Sequence, residues 1–308
     1  MIINTGQRTD IPAFYSKWFA NRLDEGYVLV RNPYDRDKIS RYALDPSVVD
    51  LIGFCTKNPA PMIPYMDKLE EYGQFWYVTI TCYGRDIEPN VPDIDDVIDS
   101  FITIADMVGA GSTGWRYDPI LLNEEYDAKH HLEAFHHIAS RLAGHTRICV
   151  ISFIDIYGKV RRNFPEAVAV SMENRELLGS KMTEIAREFG MELRPCHEGN
   201  YLAKYGADCS GCMTIPVYER AVGARLDVPK RKPSREGCAC YLSCDIGEYD
   251  TCGHLCRYCY ANNDPVKVKQ NMADHDPDSP LLVGHPPDNA KTHEVSQKSW
   301  IDRQLRFI

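Results

Sequence analysis

Over the first two thirds of the chain, short apolar runs alternate with amphipathic stretches, the pattern expected when strands and helices take turns around a parallel sheet. Apolar runs at 2–4, 27–31, 49–55, 75–81, 114–120, 147–153 and 191–195 predict seven strands. The intervening stretches predict helices at 11–24, 94–108, 132–142 and 173–189. Asp10 stands as N-cap of the first, with Pro12 in its first turn. Gly26, Gly109, Gly144 and Gly190 follow the four helices, where a left-handed cap is wanted. An eighth strand is expected at 243–249. The expected fold class is α/β, a (β/α) TIM-type barrel, with a cysteine-rich segment near its C-terminal end.

From 201 to 237 the periodicity fades and cysteine and basic residues take over. From 263 onward Asp, Pro, His and Asn dominate, and a tail is expected that lies over the barrel or is partly disordered, anchored by Trp300, Ile301, Leu305 and Ile308. The chain therefore divides into a barrel over 1–200, a cysteine-rich segment with the last barrel strand over 201–262, and a polar tail over 263–308.

Composition narrows the chemistry. The 308 residues are 44% hydrophobic, as in a globular protein, yet contain no run of 18 apolar residues. The opening Met1-Ile2-Ile3-Asn4-Thr5-Gly6 lacks the basic start and apolar core of an export signal, so a cytoplasmic protein without a membrane partner is expected. Twelve cysteines in such a chain argue for metal or redox chemistry, because cytosolic thiols are kept reduced. A net charge of −9 gives no global attraction to nucleic acid. The local exception, Lys230-Arg231-Lys232-Pro233-Ser234-Arg235, reads as a solvated loop.

Cys252, Cys256 and Cys259 stand at the spacing C-x3-C-x2-C. Three thiolates hold three irons of a cubane that normally takes four cysteines, leaving one iron open to a small molecule. The bland alternative is a zinc knuckle, although structural zinc usually takes a C-x2-C pair with a second pair elsewhere. A second group, Cys196, Cys209, Cys212, Cys238 and Cys240, suits an auxiliary iron–sulfur cluster or a structural zinc; Cys244 lies close by in sequence. Cys55, Cys82 and Cys149 sit alone in apolar strands and read as small core residues. The helix holding His130, His131, His136 and His137 lacks any H-E-x-x-H spacing and reads as a solvated face. Gly109–Gly114 reads as a helix-to-strand turn.

Polar residues gather at predicted strand ends, where parallel barrels place their active sites. They are Arg8, Thr9 and Asp10 after strand one, Thr56 and Lys57 after strand three, Thr79, Thr81 and then Glu88 around strand four, Arg116 and Asp118 in strand five, and Ser152 and Asp155 in strand six.

The cysteine loop, with Tyr258 before its last cysteine, resembles that of the radical S-adenosylmethionine (SAM) superfamily, in which SAM fills the open iron and is cleaved to a 5'-deoxyadenosyl radical. Thr56-Lys57-Asn58, Tyr77-Val78-Thr79-Ile80-Thr81, Ile87-Glu88-Pro89 and Trp115-Arg116-Tyr117-Asp118-Pro119 resemble, in order, the middle of the spore photoproduct lyase branch. More closely, the motifs Arg8-Thr9-Asp10-Ile11-Pro12 and Asp245-Ile246-Gly247 through Asn262 resemble a bacterial and archaeal family defined only as a domain of unknown function. The resemblance implies a 4Fe-4S cluster on Cys252, Cys256 and Cys259, SAM, a second iron–sulfur cluster or zinc, and a low-potential donor such as ferredoxin or flavodoxin. By the resemblance Lys57 matches a lysine near SAM and Tyr258 an aromatic of the cluster loop; with Thr79 and Thr81 at the strand ends they are the expected cofactor contacts. The strand-end residues Arg8, Asp10, Arg116 and Asp118 are expected to be catalytic toward an unidentified, small-molecule substrate. In that superfamily the loop follows the first strand; here it follows the last, which implies a circularly permuted barrel with the 6–10 turn beside the loop. The alternatives are a non-enzymatic iron–sulfur or zinc sensor and a nucleic-acid repair or modification enzyme.

Overall fold

The apolar runs become strands of a computed structural model that describes residues 1–231, 238–287 and 290–302. In chain order these are β1 (Ile2–Asn4), α1 (Ile11–Phe14), α2 (Ser16–Glu25), β2 (Tyr27–Asn32), β3 (Asp35–Ala43) and β4 (Leu51–Thr56). A 3-10 helix over Ala60–Leu69 leads to β5 (Gly73–Thr79), α3 (Ile94–Val108), β6 (Thr113–Ile120), α4 (Ala128–Leu142) and β7 (Ile148–Phe153). Then come α5 (Gly158–Asn163), α6 (Met172–Glu188), β8 (Glu192–Pro195), α7 (Ile215–Val222), β9 (Cys244–Asp245), α8 (Pro265–Ala273) and β10 (Thr292–Glu294).

Seven strands form one parallel sheet in the order β8-β7-β6-β5-β4-β1-β9. Its strands read as continuous apolar runs because both faces are covered. Trp18 and Phe19 of α2 pack with Phe54 and Trp76 in one cluster, while Phe101 of α3, Phe135 of α4 and Met182 of α6 pack with Trp115 and Tyr117 in another. The α/β class holds. Among the described residues no pairing joins β8 to β9, so the closed ring of a TIM-type barrel is not among the strand pairings.

Residues 27–31 do form a strand, but in a separate sheet. β2 pairs antiparallel with β3, and β10 adds to β3 in parallel. β3 reads DRDKISRYA with only Ile39 buried, so no apolar run announces it. The eighth strand shrinks to Cys244–Asp245, paired with Ile3 and Asn4, because the Gly247 amide turns back to Asp245 Oδ1 at 3.0 Å. The helix expected at 11–24 breaks at Tyr15, whose φ of −132° leaves the helical region while its buried hydroxyl donates to the Thr251 carbonyl at 2.6 Å. Asp10 caps Ala13 N–H at 3.1 Å, and Gly26 closes α2 in the left-handed conformation. Gly109 has a positive φ but an extended ψ of 150°, so it is no left-handed cap.

The described residues of the tail pack against the body of the fold. Trp18 Nε1 donates to Ser279 O at 2.8 Å, Leu29 N to Pro280 O at 2.9 Å, and the Asp50 carboxylate accepts from Ser299 Oγ and Trp300 N. Trp300 is buried, and Ile301 bridges to Leu226. Leu305 and Ile308 lie outside the described residues, as does most of the basic run at 230–235. No described helix is long and apolar enough to cross a membrane.

Candidate metal and cofactor site

The cysteine loop springs from β9 and is closed at its base. Asp250 N donates to Ala261 O at 3.1 Å, the Asp250 carboxylate accepts from the Asn263 amide and from Asn263 Nδ2, and Asn262 Nδ2 donates to Cys252 O at 2.8 Å. Leu255, between two of the cysteines, turns with φ of +57°. These contacts bring Cys252, Cys256 and Cys259 within electrostatic reach of one another. Burial, above all, pushes the three thiols above the ordinary cysteine range, while Lys57 pulls the other way at Cys256 and Cys259. Thiols so placed ionise on binding a soft cation, which replaces the lost hydration. The Ala261 amide donates to Cys259 Sγ at 3.3 Å.

Asp10 ties this loop to the strand ends. Besides capping α1, its Oδ2 accepts from Lys57 N at 2.7 Å and meets His254 Nε2 at 3.0 Å. His254, buried inside the loop, has Nδ1 3.2 Å from Asn90 O. Three loops, following β1, β4 and β9, thus share one carboxylate.

A second carboxylate, Glu88, gathers the residues expected near the cofactor. Its Oε1 accepts from Lys57 Nζ at 2.8 Å, from Thr81 Oγ1 at 2.7 Å and from the Tyr258 hydroxyl. Burial works against the Lys57 charge, but Glu88, then Cys256 and Asp118, outweigh it and hold the ammonium above its usual range. Thr79 ends β5 opposite Arg116, half-buried and without a share in this cluster.

Arg116 and Asp118 pair with each other, and Ser152 Oγ donates to Asp118. Burial, the largest influence, disfavours the Asp118 charge, yet Arg116 and Ser152 keep its carboxyl below the ordinary range. The Arg116 guanidinium stands 5.4 Å over the Tyr77 ring and within electrostatic reach of Cys196, Cys212 and Cys55. Arg8 is bound to Asp245, Nε to Oδ1 at 2.9 Å and Nη2 to the backbone carbonyl. Burial nevertheless pushes the Asp245 carboxyl up. Arg8 therefore holds the first loop against the last strand.

The auxiliary cysteines converge as well. Cys196, Cys209, Cys212, Cys238 and Cys240 all line one cavity of about 50 Å³ beyond the end of β8. Cys212 Sγ lies 3.5 Å from Cys196 Sγ and 3.2 Å from Cys240 Sγ. The Tyr77 hydroxyl reaches across from β5 to donate to Cys212 O at 2.6 Å. Gly114 makes room for that ring, since a Cβ there would fall 2.4 Å from Tyr77 Cε1. Cys244 instead pairs with Ile3 in the sheet. Among the described residues no three His, Cys, Asp or Glu side chains are arranged to hold a single metal ion. Cubane ligands each bind a different iron, so they need not converge on one point.

Four polar side chains around the first loop and the cysteine loop keep buried atoms without partners: Asn4 Nδ2 and Oδ1, Gln7 Nε2, Thr9 Oγ1 and Asn262 Oδ1. Such atoms cost about 1–3 kcal/mol each unless a ligand meets them. Glu88 and Ser152 were picked out among the polar strand-end residues without an assigned role, and His254 was not expected at all. Glu88 is visible in the sequence as a charge at a strand end, whereas His254 gives no signal apart from its place between two cysteines. Cys82 and Cys149 are core residues as expected, and Cys55 is half-buried. His136 and His137 are exposed on α4, but His131 points inward.

No curated protein matches the chain significantly. The family model described as a domain of unknown function (DUF1848) matches residues 2–261, and the chain belongs to that family.

Proposed function

We propose that this DUF1848 protein is a radical SAM-type iron–sulfur enzyme built on a circularly permuted β/α barrel. One observation carries the reading: the three-cysteine loop after β9 meets, through Asp10 and Glu88, the loops that follow β1, β4 and β5. β9 pairs with β1, so the loop after the last strand lies beside the loop after the first, as permutation requires. Cys252, Cys256 and Cys259 would hold a 4Fe-4S cluster, and Cys196, Cys212 and Cys240 with Cys209 or Cys238 an auxiliary cluster or zinc. When bound, the first cluster supplies the electron that cleaves SAM and so starts hydrogen abstraction from an unidentified substrate.

The chain's own residues bind and orient. Asn4, Gln7, Thr9 and Asn262 offer the unpartnered donors and acceptors that SAM's amino acid and ribose groups would meet. Lys57, its charge secured by Glu88, places a fixed ammonium beside Cys256. Arg116 and Asp118 lie between the two cysteine groups and would anchor a polar substrate there. Anaerobic reconstitution tests the metal sites: Cys256→Ser should lose about half of the bound iron and a matching share of the visible charge-transfer absorption. Cys149→Ala should keep both while costing about 1–2 kcal/mol of stability. Equal iron in wild type and Cys256→Ser would overturn the assignment.

A further inference from the structure

The protein as a whole is acidic, with a net charge of −9. Where the cysteine loop comes closest to the surface, the local charge has the opposite sign. α5 reads GKVRRN and lies against the loop: Lys159 Nζ donates to Tyr260 O at 2.7 Å and Arg162 Nη2 to Asn263 O at 3.2 Å. Arg161 Nε turns back to Ile156 O at 3.4 Å. All three cations therefore spend hydrogen bonds on backbone carbonyls, and none of them forms an ion pair with a carboxylate among the described residues. Arg257 and Lys267 nearby are balanced by Glu166 and Asp250.

The same surface is apolar between its charges. Tyr260, the residue after Cys259, is 52% exposed along its ring while its hydroxyl is tucked against Gln7 O at 2.6 Å. Tyr157, the N-cap of α5, and Val266, in the first turn of α8, are also exposed. Lys159 acts electrostatically on Cys259 itself, and its Nζ bonds the carbonyl of the next residue, so the patch and this expected metal ligand are close neighbours. Exposed aromatic and aliphatic groups ringed by uncompensated cations suit a protein partner of opposite charge.

We infer that this face, formed by Lys159, Arg161, Arg162, Tyr157, Tyr260 and Val266, is the docking site for an acidic, low-potential one-electron carrier protein. The inference rests on the iron–sulfur reading above: the carrier gives up one electron and the cluster on the cysteine loop gains it, with no proton or bond change at the interface. Charge complementarity speeds encounter, and Tyr260 offers the shortest covalent route from the surface to Cys259.

The test uses the full-length protein and an acidic flavodoxin as probe. Binding should weaken at least tenfold between 20 and 500 mM salt, and at least tenfold in an Arg161→Glu/Arg162→Glu variant; Arg161→Glu alone, which touches no part of the loop, should weaken it about threefold. Dithionite, which needs no docking face, should reduce the reconstituted cluster equally in wild type and variants, read by electron paramagnetic resonance. A dithionite-reducible cluster with flavodoxin binding indifferent to salt and to these variants would overturn the docking site and leave the cluster reading intact. Failure to assemble any cluster would overturn both. Variant-sensitive binding of a duplex oligonucleotide, with none of flavodoxin, would assign the face to nucleic acid instead.

Discussion

Two buried carboxylates, Asp10 and Glu88, organise the candidate site, each by giving one side chain several obligations. Glu88 is 3% exposed and neutralises Lys57, whose side chain is 12% exposed. Removing one partner of such a pair leaves a charge uncompensated in a poorly solvated place and costs about 3–5 kcal/mol, more than an exposed pair contributes. Glu88→Gln should therefore lower the unfolding free energy by roughly 3 kcal/mol in urea titration. An effect below about 0.5 kcal/mol, the scale of a solvated pair, would show that Lys57 does not depend on it. At this scale the sequence was partly legible. The cysteines announced themselves by spacing, and Lys57, Thr81 and Tyr258 by position or resemblance. The pairing of Arg8 with Asp245 was not, because 237 residues separate them and only the β1–β9 pairing brings them together.

Elements were legible where periodicity and burial agreed. The parallel strands are buried on both faces and advertise themselves as apolar runs, so six of the seven fall within two residues of expectation. β3 escaped because its exposed, charged face carries no such run, and α7 escaped because its eight residues lie within a segment dominated by cysteines. α4 carried a different lesson. Its histidines read as a solvated face, yet His131 is completely buried, with Nε2 2.7 Å from Leu121 O and Nδ1 2.8 Å from the Tyr117 hydroxyl. The carbonyl can only accept, so Nε2 carries the proton and Nδ1 accepts from the tyrosine. Burial, the largest influence, lowers the His131 pKa from 6.5 to about 4. Between those values the unfolded chain takes up a proton that the folded one refuses. The stability from keeping His131 neutral is thus complete above pH 6.5 and falls away as pH drops towards 4, by about 3 kcal/mol in total. Denaturant titrations across this window should show that slope in wild type and not in His131→Gln; identical slopes would contradict it.

At the scale of the whole molecule, the polar tail takes the first of its two expected courses: its described residues lie over the body of the fold, with Trp300 buried and Ile301 bridged to Leu226. Its few apolar residues, Leu281, Leu282, Val283 and Trp300, are buried in the core clusters, and polar contacts add to them: Trp18 to Ser279, Leu29 to Pro280, and Asp50 to Ser299 and Trp300. Deleting residues 275–308 should uncover Trp18 and leave Asp50 without these donors. A loss of several kcal/mol and a fall of more than 5 °C in Tm should follow, read by circular dichroism. An unchanged midpoint would mean that the tail adds nothing to the fold. The parallel sheet, the linking carboxylates and the tail together set the cysteine loop beside the first loop, where the unpartnered atoms of Asn4, Gln7, Thr9 and Asn262 lie. The central claim is that this juncture binds SAM at an open iron. The most direct measurement is the electron paramagnetic resonance spectrum of the anaerobically reconstituted, dithionite-reduced protein before and after adding SAM. The account predicts a spectrum whose g values shift on addition of SAM in wild type and in the Cys212→Ala/Cys240→Ala variant, which lacks the auxiliary site. A cluster spectrum indifferent to SAM, or zinc and no iron on Cys252, Cys256 and Cys259, would contradict it.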